Sequence, residues 1–140
     1  MIAARRLPDV TLFRLYLLRA LYLLVGVAQG IQTWTAILQH RGPWEFWHGV
    51  GLSLLGALTA LALLGIRYPV RMLPLLSFEL GWKLIWVLAI WLPLWMGHRV
   101  DPDTADSAFA IFLGVVLVPL VLPWSYVWKN YVTAPGDRWK

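Results

Sequence analysis

Glu79 and Lys83 stand four residues apart inside the otherwise apolar run from Met72 to Met96. On a helix that spacing brings a carboxylate and an ammonium together on one face, and glutamate preceding lysine is the favourable order for an ion pair. Each ionisable residue near the middle of a membrane helix costs about 2.5 to 3.5 kcal/mol even on the lenient insertion scale, so two of them require compensation by structure or function. Positions 79, 82, 83, 86 and 90 share one broad helical face, which adds Trp82 and Trp86 to a polar and aromatic patch expected to point inward. Two chemistries suit such a patch: proton uptake and release at Glu79, or retention of an anionic or quinone-like headgroup by Lys83 and the indoles. The bland alternative is a neutralised cluster that fixes helix register.

A third charge belongs to the same argument. Glu79 follows Arg71 by eight residues, about 12 Å of helical rise, and Arg19 counted from a helix start near Leu12 reaches a similar depth. An Arg19 to Glu79 bridge between helices is therefore expected. Tyr22, Gly26, Gln29 and Thr33 continue along roughly the same side of the first helix, so Tyr22, Gln29 and Thr33 form a polar stripe able to meet the patch. His40, His48 and His98 lie near Glu45, Asp101, Asp103 and Asp106. Their spacing matches no compact ligand motif, so no metal is assigned, and none of the three is deep enough for bis-histidine haem ligation.

These residues must be positioned by helices that dominate the chain. Of 140 residues, 60% are hydrophobic and 14% charged, with mean hydropathy +0.67, a balance a soluble domain of this size rarely tolerates. The expected fold is all-α, a membrane-embedded four-helix bundle forming a single domain over residues 1–140. The expected spans are 12–38, 46–66, 72–96 and 108–128, each near the roughly 20 residues that cross a bilayer core. Pro8 is placed to open the first helix, and Gly42-Pro43 and Tyr68-Pro69 to close the first and second. The segment GHRVDPDTADS reads as an acidic, turn-rich loop. Gly49, Ser53, Gly56, Ala57 and Ala60 put small residues on one face of the second span, where tight packing is expected. Pro74, Pro93, Pro119 and Pro123 predict bends.

Basic residues divide unequally. Arg5, Arg6, Arg14, Arg19, Arg67, Arg71, Lys129, Arg138 and Lys140 fall at one end, against Arg41 and Arg99 at the other, which makes both termini cytoplasmic. Trp34, Trp44, Trp47 and Trp95 gather at the outer interface and Trp124, Trp128 and Trp139 at the inner one, as anchoring belts. Arg14 and Arg19 interrupt the first apolar stretch and no small-residue cleavage site precedes Gln29, so the first helix reads as retained. The absence of cysteine excludes disulfide frameworks, thiolate nucleophiles and iron-sulfur ligation. The net charge of +5 sits beside spans, where it meets membrane lipid rather than nucleic acid.

The stretches RYPVRMLPLLSFELGWKLIWVLAIWLPLW and GVVLVPLVLPWSYVWKNYV resemble short bacterial integral membrane proteins of the DoxX-like group. That resemblance implies a four-helix bundle in the bacterial inner membrane, with relatives among membrane subunits of quinone-linked oxidoreduction. It carries no catalytic motif. The favoured reading is a non-enzymatic or accessory bundle whose Arg19, Glu79, Lys83 and Trp86 cluster organises the core and is able to bind a lipid or quinone-like ligand, alone, as a homo-oligomer or with a partner membrane protein. A small proton-coupled transporter using Glu79 and a redox-complex subunit are its rivals.

Overall fold

The computed structural model describes residues 10–139. Four helices are each long and apolar enough to cross a membrane: α1 (Leu12–Gln39), α2 (Phe46–Arg67), α3 (Leu73–Met96) and α4 (Pro102–Val121). A short helix, α5 (Trp124–Val127), follows and widens over Trp128–Val132. No strand occurs among the described residues. Backbone approaches join α1 to α2, α2 to α3, α3 to α4 and α4 back to α1, so the helices form an antiparallel ring.

The helix starts follow from local chemistry. Thr11 accepts from the Arg14 N–H at 3.2 Å, and Glu45 accepts from the Trp47 and His48 N–H groups at 3.1 and 2.7 Å, each satisfying donors that a first turn leaves free. Pro8, Arg5, Arg6 and Lys140 lie outside the described residues. The fourth helix begins at Pro102 rather than near Ala108, because Asp101 caps it through the Thr104 N–H at 3.3 Å and the Thr104 hydroxyl. Proline at the first helical position and Asp103 beside the helix dipole reinforce that start. Half of the supposed acidic loop is therefore helix. The same helix stops at Val121 and not at Trp128, since Pro123 cannot continue it.

Two helices contain a wide turn. In α1 the segment Leu24–Gln29 is π-helical, closed by the Gly30 N–H donating to the Val25 carbonyl; in α3 the segment Val87–Trp91 does the same just before Pro93. Such turns tend to occur where a helix serves a site.

The tightest packing lies at the end of the bundle that holds the α2–α3 turn. Leu18, Leu21, Tyr22, Val25, Ala62, Leu73, Leu76, Val118 and Leu122 form the core there. The buried residues of α2 are Gly56, Leu58, Thr59, Ala62 and Gly65. Of the small-residue face expected to pack, only Gly56 is buried; Ser53, Ala57 and Ala60 are exposed. Register against α1 explains the shift. Gly30 meets Thr59, Gly56 meets Ile37 and Trp34, and Gly65 meets the Tyr22 ring, a line of contacts that rotates away from the 53/57/60 face.

Candidate functional site

A cleft of about 390 Å³ opens in the other half of the bundle, with Glu79, Trp82 and Lys83 of α3 at its back. Its walls are α1, including Gln29, Gln32 and Thr33, and α4, including Ser107 and Gly114, while Leu55 is the contribution of α2. Close backbone approach between α1 and α4 is confined to Leu12–Leu23 of α1. Beyond that point the two helices part, and Leu24, Ala28, Gln32, Ala110 and Leu113 stay exposed along the lips.

The pair at the back is tightly held. Lys83 Nζ lies 2.6 Å from Glu79 Oε1, and the Trp82 indole N–H donates to Glu79 Oε2 at 2.9 Å. The same ammonium sits 5.6 Å from the Trp82 ring centre. Oε1 has the ionic contact but no hydrogen bond of good geometry. Glu79 and Lys83 are 1% and 6% exposed, so the carboxylate is held away from solvent by partners on its own helix. A Cβ at Gly114 would overlap the Lys83 ammonium. The bare backbone of α4 is what gives that head its place.

On the opposite wall, the Gln29 amide nitrogen Nε2 is buried and has no hydrogen-bond partner. Two N–H donors are thus left unsatisfied beside the cleft, a state that normally costs about 1 to 3 kcal/mol.

Arg19 does not join the cluster. Its Nε donates to the Ile66 carbonyl at 3.0 Å, and its guanidinium lies 5.4 Å from the Tyr16 ring centre. Tyr22 likewise belongs to the packed end, where its hydroxyl donates to the Pro69 carbonyl at 2.8 Å. The expected depth of Arg19 placed the start of α1 level with that of α3. In fact α1 is 28 residues long, about 42 Å, and its first turns extend past the α2–α3 turn. The polar α1 residues lining the cleft with Glu79 are Gln29, Gln32 and Thr33, the first of them about 15 Å beyond Arg19.

Trp86 shares the angular face of Glu79 but sits a full turn beyond Trp82, half-buried and outside the cleft lining. Of the expected stripe, Gln29 and Thr33 line the cleft and Tyr22 does not. His40 stacks on Trp44 at 3.4 Å between ring centres, and Trp44 on His48 at 5.7 Å. His98 occupies a turn with φ of 52°. No group of three His, Asp or Glu side chains suited to a metal converges among the described residues.

The sequence reading missed the whole α4 wall. Gly114 offered a faint signal, as a residue without a side chain in an apolar helix, but its partner is visible only once the α3–α4 register is known. The chain matches no protein family, and no curated protein or solved structure is significantly similar to it.

Proposed function

We propose that this protein crosses the bacterial inner membrane four times and holds a neutral, carbonyl-bearing lipophile of the quinone class in the α1–α4 cleft. It serves as an accessory bundle rather than an enzyme. The arginine-rich end, with both termini, is cytoplasmic, in keeping with the excess of basic residues there. The DoxX-like resemblance points to the same ligand class.

The observation that carries the reading is an imbalance of donors and charge. Among the described residues, Glu79 and Lys83 are the only ionisable ones lining the cleft and they cancel, so neither a cation nor an anion is drawn in. Donors are in surplus: the Gln29 amide N–H groups are unused, and the Lys83 ammonium has more protons than Glu79 Oε1 can take. A ligand that completes the site therefore brings hydrogen-bond acceptors without charge. A quinone ring has two carbonyl acceptors on a flat apolar body, and 390 Å³ lies within the range of ligand pockets. A gap between helices admits such a molecule from the bilayer without opening the bundle. The transporter reading fits less well, because Lys83 repels a cationic substrate from the carboxylate that would drive it.

The test is native mass spectrometry from nanodiscs loaded with a short-chain benzoquinone. Wild type retains one quinone, and Gln29→Leu weakens retention about tenfold, the value of one hydrogen bond in a site of low polarity. Equal retention by both proteins, or wild type carrying bulk lipid alone, would sink the proposal.

A further inference from the structure

Four arginines gather at the packed end of the bundle, and they are used differently. The Arg14 guanidinium is occupied by the terminal carbonyls of α4, with Nη1 donating to Leu120, Val121 and Leu122 at 2.9, 3.1 and 3.3 Å. Arg19 hydrogen-bonds, among the described residues, through its Nε alone. Arg67 and Arg71 make no hydrogen bond or ion pair with a described residue; their guanidinium carbons lie 5.4 and 5.5 Å from the centre of the same Tyr68 ring. A groove of about 470 Å³ runs between them, lined by Arg19, Arg67, Arg71, Tyr68 and apolar atoms of the Leu15 and Val70 region.

Among the described residues, no carboxylate lines this groove. Three like charges brought together with no counter-charge among the described lining residues repel one another, and helix capping accounts only for Arg14 and the Arg19 Nε. The floor is rigid. Tyr22 holds the Pro69 carbonyl, the Tyr68 N–H donates to Leu64 at 2.9 Å, and the Met72 N–H donates to Tyr68 at 3.1 Å. Planar guanidinium forks on a fixed turn match the oxygens of a phosphate, for which arginine is the preferred partner. The exposed apolar side chains of Leu12 and Phe13 belong to the same end of α1, so a ligand seated here has apolar surface close by as well as charge.

We infer that this groove binds the phosphate of an anionic phospholipid, at a site separate from the cleft. The inference shares with the proposed function only the placement in a bilayer and makes no use of a quinone. A lipid meets both requirements of the groove, with its phosphate on Arg19, Arg67 and Arg71 and its acyl chain on the apolar flank. Free phosphate meets only the first.

Native mass spectrometry of detergent-purified protein titrated with phosphatidylglycerol or phosphatidylcholine tests the inference. Wild type is expected to bind one phosphatidylglycerol at least roughly tenfold more tightly than phosphatidylcholine. The double variant Arg67→Gln, Arg71→Gln loses that preference, whereas Arg41→Gln, Arg99→Gln at the opposite end keeps it. Equal binding of both lipids by wild type overturns the inference without reference to any variant. So does a preference that survives in the first double variant or vanishes equally in the second. Displacement of bound phosphatidylglycerol by millimolar inorganic phosphate assigns the groove to a soluble phosphate compound and overturns the lipid.

Discussion

Gly65 and Gly114 perform the same task at two heights of the bundle. Gly65 of α2 leaves space for the Tyr22 ring, and Gly114 of α4 leaves space for the Lys83 ammonium; a Cβ at either would overlap its guest. The guests differ. Tyr22 is a rigid ring, fully buried and tied by its hydroxyl to Pro69, whereas Lys83 presents the end of a flexible chain to a cleft. One glycine closes a joint between helices, and the other supports a group that can still move. Polar side chains near a turn find backbone carbonyls left free by helix ends, as Arg14, Arg19 and Tyr22 do. In mid-helix those carbonyls are already used, so Glu79 and Lys83 have each other and the Trp82 indole.

The largest effect should come from removing one member of the buried pair. Lys83→Met leaves Glu79 without its ionic partner and is expected to lower stability by about 3 to 5 kcal/mol, measured by unfolding in detergent. The double variant Glu79→Gln, Lys83→Met recovers most of that loss, since the charge left behind is removed too. A double variant no better than the single one would mean that Lys83 stabilises by packing on Gly114 instead, and the contrast between the two halves would fail.

Gly65→Ala should come next, at about 1 to 3 kcal/mol, because a buried tethered ring cannot step aside without disturbing the core. Gly114→Ala is expected to cost about 1 kcal/mol or less, as a lysine head can shift, yet to weaken quinone retention about tenfold by displacing a donor. Equal destabilisation by the two substitutions would erase the distinction between rigid and movable guests. So would a Gly114→Ala protein that retains quinone as well as wild type.

The smallest effect lies outside the spans. The Thr104 hydroxyl and N–H hold the Asp101 carboxyl below its usual range. A folded-state value lower than the unfolded one stabilises above about pH 4 and loses that contribution as the pH falls further. Asp101→Asn keeps a good helix cap without titrating. Its melting temperature should therefore fall less steeply than that of wild type on acidification below pH 4. Parallel acid limbs would show that ionisation of Asp101 contributes nothing to the start of α4.

How much of this was legible depended on distance along the chain. The Glu79–Lys83 contact could be read from its spacing because both partners ride on one helix, whose geometry is the same in any fold. The caps Thr11, Glu45 and Asp101 are equally local contacts, yet none of them is among the helix starts read from the sequence, and the acidic character of the D-P-D-T sequence suggested a loop where α4 begins. Arg19 was misplaced because height compares two helices, and it depends on how far α1 extends past the α2–α3 turn. Trp86 was misplaced because periodicity gives an angle around a helix and says nothing of where a cleft ends. The small-residue face of α2 failed for a related reason: Ser53, Ala57 and Ala60 permit close contact, but the Tyr22 ring and the Gly30–Thr59 approach select a different face.

Composition and hydropathy alone determined four long apolar helices, the approximate limits of the first three and the unequal sharing of arginines between the ends, because burial of apolar surface and satisfaction of backbone groups act residue by residue along each segment. Only the tertiary structure decided that Gly114 lies against Lys83 with Gln29 lining the same cleft, that Arg19 serves a helix end, and that α1 and α4 part to leave a cleft. Those outcomes depend on register and splay between helices far apart in the chain, which contacts such as Tyr22 with Gly65 and Pro69 settle together.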